Sequence, residues 1–177
     1  MTRDRRPAAA LIVALAALMV ATGCGLRGAA EPQRGAVMLF AVGDCVKVSA
    51  GTPAAPDVVR ASKADCRADP SYTVGAVADG GGSCPSAEYQ HLPVQFADPS
   101  TARLCLVPNL VADHCYELGL PAGVVELAEC TDRGPGVLVQ VMRRLEVRDR
   151  SACPAETGQF AWPYPSPART YCTRTVS

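Results

Sequence analysis

Short valine-rich stretches run through the chain, each bounded by glycine, proline or aspartate. The clearest is GVLVQVMRRLEVR. Val137, Val139, Val141, Leu145 and Val147 hold its odd positions, and Gln140, Arg144, Glu146 and Arg148 its even ones. A period of two with one apolar side predicts a half-buried strand, in which Arg143 is the lone misfit. Strands are also expected over VGDCVKVSA, DVVRAS, YTVGAVAD, RLCLVPNL, HCYELG and GVVELAE. The Cys84-Pro85 and Cys153-Pro154 pairs predict short helix starts, because proline is tolerated in a first turn, and Pro93 and Pro163 limit their length. The expected class is α+β and β-rich: antiparallel strands with one short helix per unit.

The unit occurs twice. Eight cysteines fall into two rows, Cys45, Cys66, Cys84, Cys105 and Cys115, Cys130, Cys153, Cys172, and the surrounding text aligns. VGDCVKV matches ADHCYEL, DVVRASKADC matches GVVELAEC, CPSAEYQ matches CPAETGQ, and DPSTARLC matches YPSPARTYC. Four matches in one order predict a tandem duplication, with residues 38–110 as the first four-cysteine unit and 111–177 as the second. YTVGAVAD is then the counterpart of the long alternating stretch.

An even cysteine count in an exported chain reads as a disulfide framework. Zinc knuckles and redox pairs need two close cysteines, and here none of the eight stand closer than Cys105 and Cys115. If each row closes identically, three patterns remain; the preferred one bridges each first hairpin, pairing Cys45 with Cys66 and Cys115 with Cys130. That leaves Cys84 with Cys105 and Cys153 with Cys172. A loop of this length contributes roughly 3 kcal/mol in the chain-entropy model, a large share of the stability of so small a unit.

The ends bear on compartment. Arg3, Arg5 and Arg6 precede a fourteen-residue apolar run, Ala8 to Ala21. That is the length of a secretory signal core and short for a membrane span. Ala21-Thr22-Gly23-Cys24 resembles a bacterial lipobox. Residues 1–23 are therefore expected to be a lipoprotein signal peptide, with Cys24 acylated. Two or more acyl chains would hold the protein stably on the outer face of the cell membrane. Residues 24–37 read as the lipidated tether, spanning roughly 20 Å. Loss of Arg3, Arg5, Arg6 and Asp4 from 17 basic and 17 acidic residues leaves 14 against 16. That balance argues against a nucleic-acid partner.

The composition, rich in Ala, Gly, Pro and Val with arginine favoured over lysine, looks like GC-rich actinobacterial coding. Gly43-Asp44-Cys45-Val46, Cys84-Pro85 and Cys105-Leu106-Val107-Pro108-Asn109-Leu110 followed by Cys115-Tyr116 resemble the LppU-like family of actinobacterial lipoproteins. The GDC unit is also similar, more loosely, to septum-formation-type extracytoplasmic domains. The resemblance implies location and fold, and brings no activity with it. The second copy departs from it, with Asp113-His114-Cys115 in place of Gly-Asp-Cys, which predicts a different turn there.

Catalytic chemistry is sparse. His91 and His114 are the only histidines. Neither a G-x-S-x-G elbow nor an H-E-x-x-H motif occurs. Gly80-Gly81-Gly82-Ser83 has no phosphate-loop lysine and reads as a hairpin turn. Asp44 is expected to accept backbone hydrogen bonds in its turn; the alternative is an acid of a glycan-acting enzyme. The candidate binding surface is the QFAWPYP segment, a proline-stiffened loop presenting Phe160, Trp162 and Tyr164, with Arg103 and Arg169 as equivalent cations before the closing cysteines. Arg143, Arg144, Arg148 and Arg150, interleaved with Glu146 and Asp149, read as a solvated face. The expectation is a non-enzymatic binding or scaffolding module without metal or cofactor, its partner an envelope protein or glycan.

Overall fold

The computed structural model of the chain describes residues 39–49, 58–79, 82–119 and 124–176. The expected signal peptide, Cys24, the tether, and Gly80 and Gly81 lie outside the described residues.

Among the described residues ten strands form two five-stranded sheets. The first comprises β1 (Cys45–Ser49), β2 (Arg60–Lys63), β3 (Ser71–Val77), β4 (Gln90–His91) and β5 (Leu104–Asn109), in the order β2-β1-β3-β5-β4. The second comprises β6 (Cys115–Leu118), β7 (Val125–Ala128), β8 (Val137–Leu145), β9 (Gln159–Pro165) and β10 (Ala168–Thr175), in the order β7-β6-β8-β10-β9. The two orders are the same, strand for strand, and every pairing within the sheets is antiparallel. Both sheets belong to one compact unit.

The expected short helices are absent, which corrects the α+β assignment: the described residues form β-sheets with two lone 3-10 turns, Thr101–Arg103 and Arg150–Ala152. The reason is length and tethering. Cys84 is bridged to Cys105 on β5 and Cys153 to Cys172 on β10. Only five residues then separate each cysteine from the next strand, at Gln90 and Gln159. In the first copy Ser86 Oγ accepts from the Glu88 amide at 3.2 Å, a local turn that competes with helix. In the second, Gly158 turns the chain at φ 78. The remaining bridges join Cys45 to Cys66 and Cys115 to Cys130, so both halves share one connectivity.

Register explains which residues are inside. Val46 lies opposite Tyr72, and Val74 opposite Leu106, on one face of the first sheet. Tyr116 lies opposite Val139 on the second, with Val141 and Tyr171 along the same face. All are at most 5% exposed and belong to one cluster continuous across both sheets. The misfit at Arg143 marks a β-bulge: Cys172 pairs with Arg143 but Thr173 with Val141, leaving Met142 as the extra residue. Beyond it the alternation inverts, so Arg143 points to the outer face and Arg144 to the inner.

Three tyrosine hydroxyls stitch the halves together. Tyr171 donates to the Pro108 carbonyl at 2.7 Å and accepts from the Leu110 amide at 3.0 Å. Tyr72 accepts from the Val125 amide at 3.1 Å. Tyr116 donates to Asp69 Oδ1 at 2.6 Å and accepts from the Val111 amide at 2.8 Å. Buried phenols need such partners. At Gly75 on β3 the Ser166 carbonyl and the Tyr89 ring occupy the space a Cβ would need, so the β9–β10 turn sits directly on the strand.

The turn before β6 does not differ from that before β1, against expectation. Gly43 has φ 93 and Asp113 φ 68. The Gly43 amide donates to Val74 O at 2.8 Å and the Asp113 amide to Val141 O at 2.7 Å. Aspartate is one of the few residues that tolerate this left-handed region.

Candidate functional site: an apolar cleft between the sheets

The inner face of the second sheet extends past the first. Along β8 it carries Val137 and Val139, beside Leu118 on β6 and Val125 on β7. Along β9 and β10 the same face carries Phe160, Trp162 and Tyr164, opposite Thr173, Tyr171 and Arg169. The first sheet faces this surface with Pro108, Leu110 and the turn Ala87–Gln90. Between them lies an open cleft of about 560 Å³, within the usual range for a small-molecule site. Val137 and Trp162 stand half-exposed, whereas Tyr171, Val139, Val125 and Leu110 are buried.

The QFAWPYP segment is an edge strand, β9, and not the expected loop. An edge strand accepts Pro163 and Pro165 because one side of its backbone needs no ladder partner. Alternation then puts its three aromatic side chains on one face. The rings of Phe160 and Trp162 are 6.3 Å apart, and those of Tyr164 and Tyr171 meet edge-on at 6.1 Å. Trp162 Nε1 donates to Thr173 Oγ1 at 2.8 Å, which fixes the indole in the wall. Phe160, 49% exposed, lies on the same face but outside the cleft lining.

Polar groups are few. Glu88 lines the cleft and is neutralised from the far half by Arg148, at 2.7 and 2.8 Å. Arg150 lines it too and donates to the Ala161 carbonyl at 3.1 Å, along the free edge of β9. Gln90 bonds the Tyr72 phenol. Burial pushes the Tyr72 phenol up to about 12, against the lowering effect of its hydrogen bonds to Val125 and Gln90. Tyr164 and Tyr171 are raised as well, first by burial, so these phenols stay neutral at physiological pH.

The other sequence candidates lie elsewhere. Arg169 is 6% exposed and crosses between the sheets, donating from Nη1 to the Pro108 carbonyl at 2.8 Å and Asn109 Oδ1 at 2.7 Å. Its Nε is buried without a hydrogen bond, and the carboxylate of Glu146 stays 3.5 Å away. Arg103, expected to be equivalent, is half-buried and makes a 3.4 Å contact to the Ala78 carbonyl. The repeat therefore places two arginines at matching positions but only one becomes an internal clamp.

Asp44 accepts from the Ala41 amide at 2.9 Å and pairs with Lys63 at 3.1 Å. The backbone hydrogen bond and then Lys63 hold its carboxyl below the ordinary range. His91 bonds the Ala102 carbonyl at 2.8 Å, and His114 bonds Asp69 at 2.7 Å. Among the described residues no group of His, Cys, Asp and Glu has the clustering of a metal site.

Trp162 and Tyr164 were legible as site residues from their local density of aromatics and proline. Leu118, Val125, Val137, Val139, Tyr89 and Gln90 were not. Their only signal was alternation within strands, which marks an inner face but not the part of it left uncovered. The four bridges belong to a chain that folds in an oxidising or extracellular environment. Among the described residues no helix is long and apolar enough to cross a membrane. Comparison of the chain with family models, with curated proteins and with solved structures finds no match.

Proposed function

We propose that the protein is a lipid-anchored binding module of the cell envelope, in the manner of the LppU-like lipoproteins, held at the outer face of the membrane through Cys24. Its ligand occupies the cleft between the two sheets. The observation that carries this reading is the cleft itself: an open, aromatic and aliphatic concavity whose walls are fixed by four disulfides and inter-sheet hydrogen bonds. Preorganised walls lower the ordering cost of binding. Asp44, the acid of the enzymatic alternative, is already engaged in its turn by Ala41 and Lys63.

Trp162 is the chain's only tryptophan and lines the cleft, so its fluorescence reports directly on occupancy. The exported full-length chain carrying Cys24→Ser is titrated with separated envelope fractions. A saturable shift of emission with at least one fraction is expected; no shift with lipid, glycan or protein fractions refutes the binding reading. In cells, the same substitution is expected to abolish acyl labelling of the protein.

A further inference from the structure

Five tyrosines occur in the chain. Three of them, Tyr72, Tyr116 and Tyr171, spend their hydroxyls on the inter-half hydrogen bonds described above. Tyr164 does not. It is 9% exposed and forms part of the cleft wall, and its hydroxyl has no hydrogen-bond partner among the described residues. That oxygen is not sealed off, since Arg169 Nε is the one fully enclosed side-chain polar atom lacking a hydrogen bond among those residues. An accessible hydroxyl in such a wall bonds water, and a ligand that displaces that water must supply an acceptor in its place. Tyr89, also 9% exposed and in the wall, likewise makes no side-chain hydrogen bond.

The surroundings select the partner. The walls are mainly valine, leucine, proline and aromatic rings, against which the many hydroxyls of a sugar would go unpaired. A carboxylate beside Tyr164 would find no uncommitted cation in the wall: Arg169, the cross-strand neighbour of Tyr164, lies outside the cleft lining and is bonded to Pro108 and Asn109, and Arg150, in the lining, is bonded to the Ala161 carbonyl. Tyr164 stays a neutral donor, its phenol raised by burial and then by Tyr171 and Tyr72. An uncharged acceptor on a hydrocarbon body suits both the apolar wall and the Tyr164 hydroxyl. We propose that the cleft holds a neutral acyl-ester lipid, one ester carbonyl of which accepts a hydrogen bond from the Tyr164 hydroxyl.

This rests on the cleft being a binding site, and the test separates the two. The full-length Cys24→Ser chain is titrated calorimetrically, below their micellar concentrations, with monodecanoylglycerol, its ether analogue 1-O-decylglycerol, and decanoate. Ester and ether differ by one carbonyl. The ester is expected to bind about three- to tenfold tighter than the ether, the range of one hydrogen bond, and tighter than decanoate. Tyr164→Phe should erase the ester's advantage and leave ether binding unchanged. Its thermal stability should be unchanged or higher, because the lost hydroxyl had no partner. Equal affinities for ester and ether in the parent chain, or an ester preference that survives Tyr164→Phe, overturn the assignment of the carbonyl. No amphiphile binding, with envelope fractions still shifting Trp162 emission, overturns the lipid and leaves the binding module standing. Silence in both experiments removes both.

Discussion

Arg169 and Arg103 occupy matching places in a repeated phrase, yet the structure assigns them different work, and methionine substitution at each measures the difference. Methionine keeps much of the aliphatic stem that arginine packs against its surroundings, so the loss reports mainly hydrogen bonding. At Arg169 the change removes bonds of 2.8 and 2.7 Å from one buried nitrogen to the Pro108 carbonyl and Asn109 Oδ1, the latter keeping a 3.0 Å bond from Thr73 Oγ1. Each lost hydrogen bond from a charged donor costs about 1.5–3 kcal/mol. Against this stands the relief of desolvating a guanidinium whose Nε makes no hydrogen bond and faces Glu146 at 3.5 Å, a term that can reach several kcal/mol for buried ions. Tyr171, already bonded to Pro108, keeps that carbonyl partly satisfied. The net expectation is a destabilisation of about 2 kcal/mol. Arg103→Met loses one 3.4 Å contact at a half-buried position and should stay within about 0.5 kcal/mol of the parent. The assay is denaturant unfolding with all disulfides intact, comparing midpoints at equal slope. Equal losses at the two sites would refute the claim that only Arg169 clamps the sheets together.

Asp113→Gly should stabilise the chain by about 0.5–1 kcal/mol, read as a higher melting temperature, because glycine adopts the φ of 68 without side-chain strain; a lower one would mean that the aspartate side chain supports the turn. Asp98 gives the fold an acid limit. Partial burial opposes its ionisation, but hydrogen bonds from Ser100 and Thr101 outweigh that and hold its carboxyl below the ordinary range. A lowered folded value means its contribution is present above the unfolded value near 4 and is lost as pH falls through the folded one. Asp98→Asn should therefore cost about 1 kcal/mol at pH 7, and the gap to the parent should close below about pH 4. A gap independent of pH would argue against the carboxylate.

The repeat is the feature that reached furthest from the sequence. The two halves show the same strand order and the same bridge connectivity, as matched phrases with the same hydrophobic alternation and turn residues would produce. The misfit at Arg143 misled: the odd positions stay in phase through it in the sequence, but the bulge inverts the alternation, so Leu145 leaves the face of Val139 and Val141, and Val147 is 47% exposed. The short helices failed for a reason visible only in space. Cys84 and Cys153 are pinned to central strands, and five intervening residues must reach the next strand, whatever Cys-Pro prefers locally. The aromatic segment was read as a loop because of its prolines, and it became an edge strand whose outer side no strand pairs among the described residues.

Alternation, cysteine spacing and composition determined by themselves a β-rich, disulfide-bonded chain built on a recurring unit. They act through neighbours in sequence and through a repeat that can be aligned by eye. Which inner face each sheet covers, and how much of it stays open, was decided by packing between segments far apart in the chain. Tyr171 meets Pro108 and Leu110, Tyr72 meets Val125, and Arg169 meets Asn109 only once the two halves are docked. The cleft is what that docking leaves uncovered, so no stretch of sequence encodes it alone.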